Sequence, residues 1–164
     1  MKITLYILLG IVCLLLLILI VGLILPKKRT LTKKSIYNAP LSKVYKAVTN
    51  NQDWKYRTSL DDLKIIESTG DIEIWDEITG GNTIRFQTKE KRPNSFYSFD
   101  MESNLFKGYW FAEFEAIDDN TTLFTATESI EYKNPFIKTV AYLFMDLGKF
   151  MEIYQDELRK KVEG

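Results

Sequence analysis

Two carboxylates, Asp76 and Glu128, fall on the apolar side of strands when side chains are assigned alternately to opposite faces. In the segment from Leu123 to Tyr132, Phe124, Ala126, Glu128, Ile130 and Tyr132 share the more apolar face. From Ile72 to Thr79 the apolar set is Ile72, Ile74, Asp76 and Ile78, which turns Trp75 outward between Glu73 and Glu77. A carboxylate on an apolar face must gain a partner, reach water or take up a proton. It can then serve as a polar anchor for a ligand or as a general acid/base with a raised pKa. The plainer expectation is a strand end in water, or pairing with a nearby Arg or Lys.

Other chemistry is narrowed by absence. The 164-residue chain contains no histidine, which excludes Ser-His-Asp and Cys-His catalysis and any histidine metal site. Its one cysteine, Cys13, lies inside an apolar run, so no disulfide forms within one chain. No glycine-rich phosphate loop, cysteine pair or EF-hand loop occurs, and no metal or cofactor is expected. Arg57, Asp61 and Asp62 near Trp54 read as a solvated charged loop, and Asn120-Thr121-Thr122 reads as a hairpin turn rather than a glycosylation site.

The elements that would position the carboxylates follow from periodicity and turn residues. Thr32 to Tyr37 reads as a strand, and Leu41 to Thr49 as a short amphipathic helix with Pro40 near its start. Six strands follow, at 63–68, 72–79, 83–91, 95–103, 109–117 and 123–132. The intervening turns carry Gly, Asn, Asp or Pro, including Phe106-Lys107-Gly108. The last element reads as one long helix from Pro135 to Val162, with a stripe of Phe136, Val140, Phe144, Leu147, Met151, Tyr154 and Leu158. The fold class is therefore α+β: a curved antiparallel sheet of about seven strands, with the long C-terminal helix covering its apolar face. Inward positions would be Ile84 and Phe86, then Tyr97, Phe99 and Met101, then Trp110, Ala112, Phe114 and Ala116.

Before this domain, Ile3 to Leu25 is 23 residues without a charge. As a helix it spans roughly 34 Å, enough to cross a hydrocarbon core of about 30 Å. No small-x-small cleavage site precedes Pro26, and Val12 stands where a lipoprotein-type cleavage would want a small residue. Gly10 and Gly22 are too far apart to suggest a helix-dimer face. Lys27, Lys28, Arg29, Lys33 and Lys34 follow the span and Lys2 precedes it, which places the soluble domain in the cytoplasm. The expected division is an anchor with a basic collar at 1–29 and a soluble domain at 30–164. Lys2, Lys27, Lys28 and Arg29 take four of the 22 basic residues. This leaves 18 against 22 acids, a formal charge of −4 for the remainder, which argues against nucleic-acid binding.

The element order over 30–164 resembles the START-like, helix-grip (SRPBCC) superfamily, in its polyketide-cyclase and dehydratase-like branch. The resemblance is carried by Ile36-Tyr37-Asn38-Ala39-Pro40 followed by Val44-Tyr45, by Trp54, and by the helix after Asn134-Pro135-Phe136. It implies a sheet gripping a long helix with a ligand cavity between them, and it implies no shared chemistry. Members often carry an N-terminal membrane anchor. The residues expected to meet a ligand are Asp76, Phe99, Trp110, Phe114, Phe124, Glu128, Phe144, Leu147 and Met151. The aromatic ones among them would equally serve as core.

Three functions fit. The leading one is a membrane-anchored binding module for a lipid or other hydrophobic small molecule. A second is a cyclase- or hydratase-like enzyme using a cavity carboxylate, weakened by the lack of histidine and of a clear nucleophile. A third is a scaffold with a filled cavity that binds a protein. Oligomeric state is not legible in the residues.

Overall fold

The computed structural model describes residues 2–164. Its first element, α1 (Lys2–Ile24), is apolar on every face and long enough to cross a membrane. Of its residues only Gly22 is buried against the rest of the protein. Strand β1 (Lys28–Tyr37) begins at once, so the basic residues Lys28 and Arg29 belong to the sheet rather than to a linker. Then come α2 (Leu41–Thr49), a 3-10 turn at Asn51–Tyr56, and the strands β2 (Asp62–Thr69), β3 (Ile72–Thr79), β4 (Asn82–Arg92), β5 (Phe96–Glu102), β6 (Phe106–Asp118) and β7 (Thr121–Tyr132). The sheet is fully antiparallel in the order β1-β7-β6-β5-β4-β3-β2. The meander from β2 to β7 follows from short turns, and β1 closes it by pairing with β7. Register shifts at Ile65/Glu67, Thr88/Glu90 and Ala116/Asp118 add the twist that curls a sheet.

Phe106-Lys107-Gly108 is strand, not turn; the reversal occurs at Ser103 to Leu105. The glycine is needed for space rather than for a turn. A Cβ on Gly108 would lie 2.8 Å from Met101 Cγ and 2.9 Å from Ile130 Cδ1, so neighbouring side chains cross over it.

The expected single C-terminal helix is two. Helix α3 (Pro135–Phe144) ends where Met145 turns extended, and α4 (Leu147–Glu163) starts under a new cap. Asp146 accepts a hydrogen bond from the Lys149 amide at 3.1 Å, and Arg29 Nη1 donates to the Met145 carbonyl at 2.8 Å. These contacts satisfy backbone groups that the break exposes. The apolar spacing runs unbroken from Phe144 to Leu147, so periodicity alone reads through the break.

The two helices have different partners. Helix α4 lies in the concave face of the sheet and buries Leu147, Met151, Leu158 and Val162. Helix α3 packs on α1. Thr139 Oγ1 donates to the Ile18 carbonyl at 2.8 Å, and Lys138 Nζ to the Leu25 carbonyl at 2.9 Å. Gly22 makes this fit possible, since a Cβ there would sit 2.1 Å from the Pro135 oxygen.

One end of the sheet is filled. Tyr37, Val44 and Phe124 are fully buried. Tyr45 meets Phe114 edge-on at 5.2 Å, and Phe114 meets Phe124 at 5.3 Å.

Candidate functional site

Between the concave face and α4 the other half of the interior stays open, as a cavity of about 410 Å³. That volume lies within the range of roughly 300–1,000 Å³ of small-molecule sites. Strand alternation builds its wall. Phe86 of β4, Phe99 of β5 and Trp110 of β6 project inward from successive strands, with Trp75 of β3 beside them. Trp75 and Phe86 stack at 5.2 Å, Phe99 and Trp110 stack at 4.7 Å, and Trp75 meets Phe99 edge-on at 5.4 Å. Leu147, Met151 and Tyr154 of α4 close the opposite side.

Two acids reach this apolar space, and one of them differs from expectation. Glu128 lines the cavity from β7. Among the described residues, neither a hydrogen bond nor an ion pair reaches its carboxylate; burial, with a smaller push from the Glu77 charge, raises its pKa from the ordinary 4.5 to about 7. Such a carboxyl is partly protonated at neutral pH and can donate or accept a hydrogen bond. The second acid is Glu77, not Asp76. Asp76 lies on the outer face, directly across from Arg85, whose Nε and Nη2 bond it at 2.8 and 2.9 Å. That pairing outweighs the upward push of burial and holds the Asp76 carboxyl below its usual range.

The whole of β3 is therefore turned over relative to the expectation, with Trp75 buried and Ile72 exposed. Three isoleucines outweighed one tryptophan and two glutamates in the alternation. The glutamates are tolerated inside because distant residues meet them. Arg57 binds Glu77 with both terminal nitrogens, the second at 2.9 Å. Trp75 Nε1 donates to Glu77 at 3.1 Å, and Asn51 Nδ2 donates to Glu73 at 2.8 Å.

Arg57 thus belongs to the site and not to a solvated loop. Burial disfavours its charge, but the Glu77 carboxylate more than compensates and raises its pKa. Its guanidinium also lies over the Tyr154 ring at 5.2 Å. The segment carrying it is tied to α4 by Glu157, which accepts from Thr58 Oγ1, the Ser59 amide and Ser59 Oγ at 2.7–2.9 Å. Gln155 adds a further polar group. Its Oε1 accepts from Ser35 at 2.8 Å, while its buried Nε2 has no partner among the described residues.

The other expected residues divide. Phe99, Trp110, Leu147 and Met151 line the cavity with Glu128. Phe114 and Phe124 lie in the filled end instead. Phe144 is 81% exposed on α3, because the helix break carries it away from the sheet. Arg57 was expected in a solvated loop and Trp75 and Glu77 on the outer face, whereas Gln155 carried no expectation. A tryptophan flanked by two acids on a strand was the one local sign for β3. Nothing near Arg57 in sequence announces a partner 20 residues away. No group of His, Cys, Asp and Glu among the described residues is arranged to hold a metal ion.

No protein-family profile matches the sequence, and no curated protein matches it. Solved structures do match in shape. The Zhui aromatase/cyclase from Streptomyces sp. R1128 superposes with a TM-score of 0.73 at 10% identity, covering 83% of this chain and 94% of its own. A START superfamily protein from Mycobacterium smegmatis gives 0.64 at 16% identity, covering 82% and 97%. Norcoclaurine synthase from Thalictrum flavum, in complex with dopamine and hydroxybenzaldehyde, gives 0.62 at 12%, covering 81% and 85%. At these identities the likeness is one of fold.

Proposed function

Starting from a chain with the START-like, helix-grip (SRPBCC) fold, we propose that it is a membrane-anchored binding protein, holding a lipid or other hydrophobic small molecule in its cavity. The observation that carries this reading is the open aromatic cavity with Glu128 on its wall, a carboxylate without a partner among the described residues. The aromatic face would take the apolar body of the ligand, and Glu128 its polar end. The α1 helix would tether the domain, and the basic flank after it would place the domain in the cytoplasm.

Native mass spectrometry of the full-length protein, purified from its own cells in mild detergent, tests the reading directly. A co-purifying hydrophobic molecule is the expected result. In the same detergent, fatty acids, phospholipids or isoprenoids should raise the melting temperature and alter tryptophan fluorescence. Glu128→Gln should weaken the binding of a ligand anchored there. An unliganded protein whose melt no such compound shifts would overturn the proposal. For orientation, Asn120→Cys in a Cys13→Ser background should resist impermeant thiol reagents in intact cells, and ready labelling would reverse the topology.

A second reading is a cyclase- or hydratase-like activity. The specific observation in its favour is a carboxyl with a pKa of about 7 facing an apolar chamber. Turnover of a hydrophobic carbonyl compound, lost in Glu128→Gln with binding retained, would establish it.

A further inference from the structure

The register of the sheet fixes which end faces α1. Lys28 pairs with Glu131, Phe106 with Tyr132, Glu102 with Lys107, Arg85 with Glu102, and Ile78 with Thr83. These pairs lie at one common end of the strands, and α1 leaves from that end. The cavity lies toward the same end: Phe106, Tyr132, Thr79 and Asn82 line it there, with Met145 and Phe150 from the two sides of the break between α3 and α4.

Met145 and Phe150 also face outward, 41% and 54% exposed. Leu143 and Phe144, 68% and 81% exposed, precede Met145 in the chain, with Val140 and Phe136 further back on α3, and the exposed Asp146 and Lys149 lie between Met145 and Phe150. Leu105, in the β5–β6 turn at this end, is 50% exposed. The turns at the opposite end carry Asp71, Asn94, Asp118, Asp119 and Asn120, flanked by the exposed Ile72 and Ile117.

What covers this apolar rim follows from α1. Thr139 bonds to Ile18, seven residues before Leu25, which is about 10 Å inward along the helix axis at 1.5 Å per residue. If α1 crosses a bilayer, α3 is carried into the hydrocarbon with it. Lys138, at the other side of the contact, reaches the Leu25 carbonyl near the helix end, where a lysine can keep its charge at the headgroups. Lys27 and Lys28, just past the end of α1, are exposed, as an interface of anionic headgroups favours.

We infer that α3 and the rim formed by Met145 and Phe150 sit within the bilayer, so that the mouth of the cavity opens onto acyl chains rather than water. The inference rests on the membrane anchoring and cavity binding proposed above. It adds the route: a ligand would enter sideways from the membrane, between α3 and α4, without crossing the aqueous phase.

The test is depth. The full-length chain in a Cys13→Ser background would carry a nitroxide at Phe144→Cys, Phe150→Cys or Asp118→Cys, in vesicles of phosphatidylcholine with phosphatidylglycerol. Labels at 144 and 150 should collide several-fold more with oxygen than with a water-soluble nickel chelate, and the label at 118 should show the reverse. Leu143→Cys repeats the measurement should a phenylalanine variant misfold. Labels at 143, 144 and 150 as water-accessible as that at 118 would overturn the inference. The cavity reading is scored separately, by mass spectrometry in detergent. Aqueous labels on a liganded protein sink the route alone, and buried labels on a protein that binds nothing sink the ligand alone.

Discussion

The two ends of the sheet use the same materials differently. At the end away from α1, Phe114 and Phe124 are packed against Tyr45 and Tyr37, and the space is full. At the end near α1, Trp75, Phe86, Phe99 and Trp110 stack on one another along the wall and leave the centre open. The difference lies in what covers them. Helix α2 sits over the first group, with Val44 buried beneath it. Over the second, the chain breaks at Met145, and α3 turns away to α1. Aromatic content therefore does not distinguish a filled core from a cavity wall; the presence of a second covering layer does.

The largest expected effect is at the filled end. Phe124→Ala should cost about 3–5 kcal/mol, because a rigid, fully buried ring leaves a cavity that its neighbours cannot fill. Phe144→Ser should change stability by less than about 0.5 kcal/mol in detergent, since the ring touches little of the domain. Chemical denaturation of the two full-length variants in micelles measures both. Similar losses at the two sites would erase the contrast.

Next in size is Glu128, which tests whether the open end tolerates a charge. Its carboxyl is ordinary, near 4.5, in the unfolded chain and raised to about 7 in the fold. The folded state thus holds that proton more tightly. Its contribution is most favourable below pH 4.5 and falls as pH rises through 7, then levels off. The difference corresponds to about 3 kcal/mol. Glu128→Gln should therefore be more stable than the parent by up to about 3 kcal/mol at pH 8, and nearly equal to it at pH 4. Melting curves at the two pH values decide this. A variant with the parent's pH profile would mean that the carboxylate is already solvated or paired.

The smallest effect concerns the clasp that draws α3 from the sheet. Thr139→Val removes the hydroxyl that donates to Ile18 and should cost about 1 kcal/mol. Hydrogen exchange should quicken in α3 and leave α4 unchanged. Loss of protection in both helices would show that they act as one unit.

Much of this architecture was legible in residues alone. The 23-residue apolar helix, the seven antiparallel strands and the inward faces of β4, β5, β6 and β7 follow from local periods, except that Ala116, expected inside, is exposed where β6 shifts register at its end. Glu128 could be placed on the apolar face by the same rule. What escaped was set by partners distant in sequence. The faces of β3 depend on Arg57 and Asn51 meeting its glutamates, and an alternation rule sees neither. The break at Met145 is met by Arg29, 116 residues away, while α3 is held on α1 rather than on the sheet. Gly22, which as a residue type suggested no contact, is the point where the helices touch. Side-chain period is a property of neighbours in the chain, so sequence determines which residues share a face. Which face is inward, and whether the space before it is filled, depends on the other elements that arrive there, and the tertiary structure alone decides that.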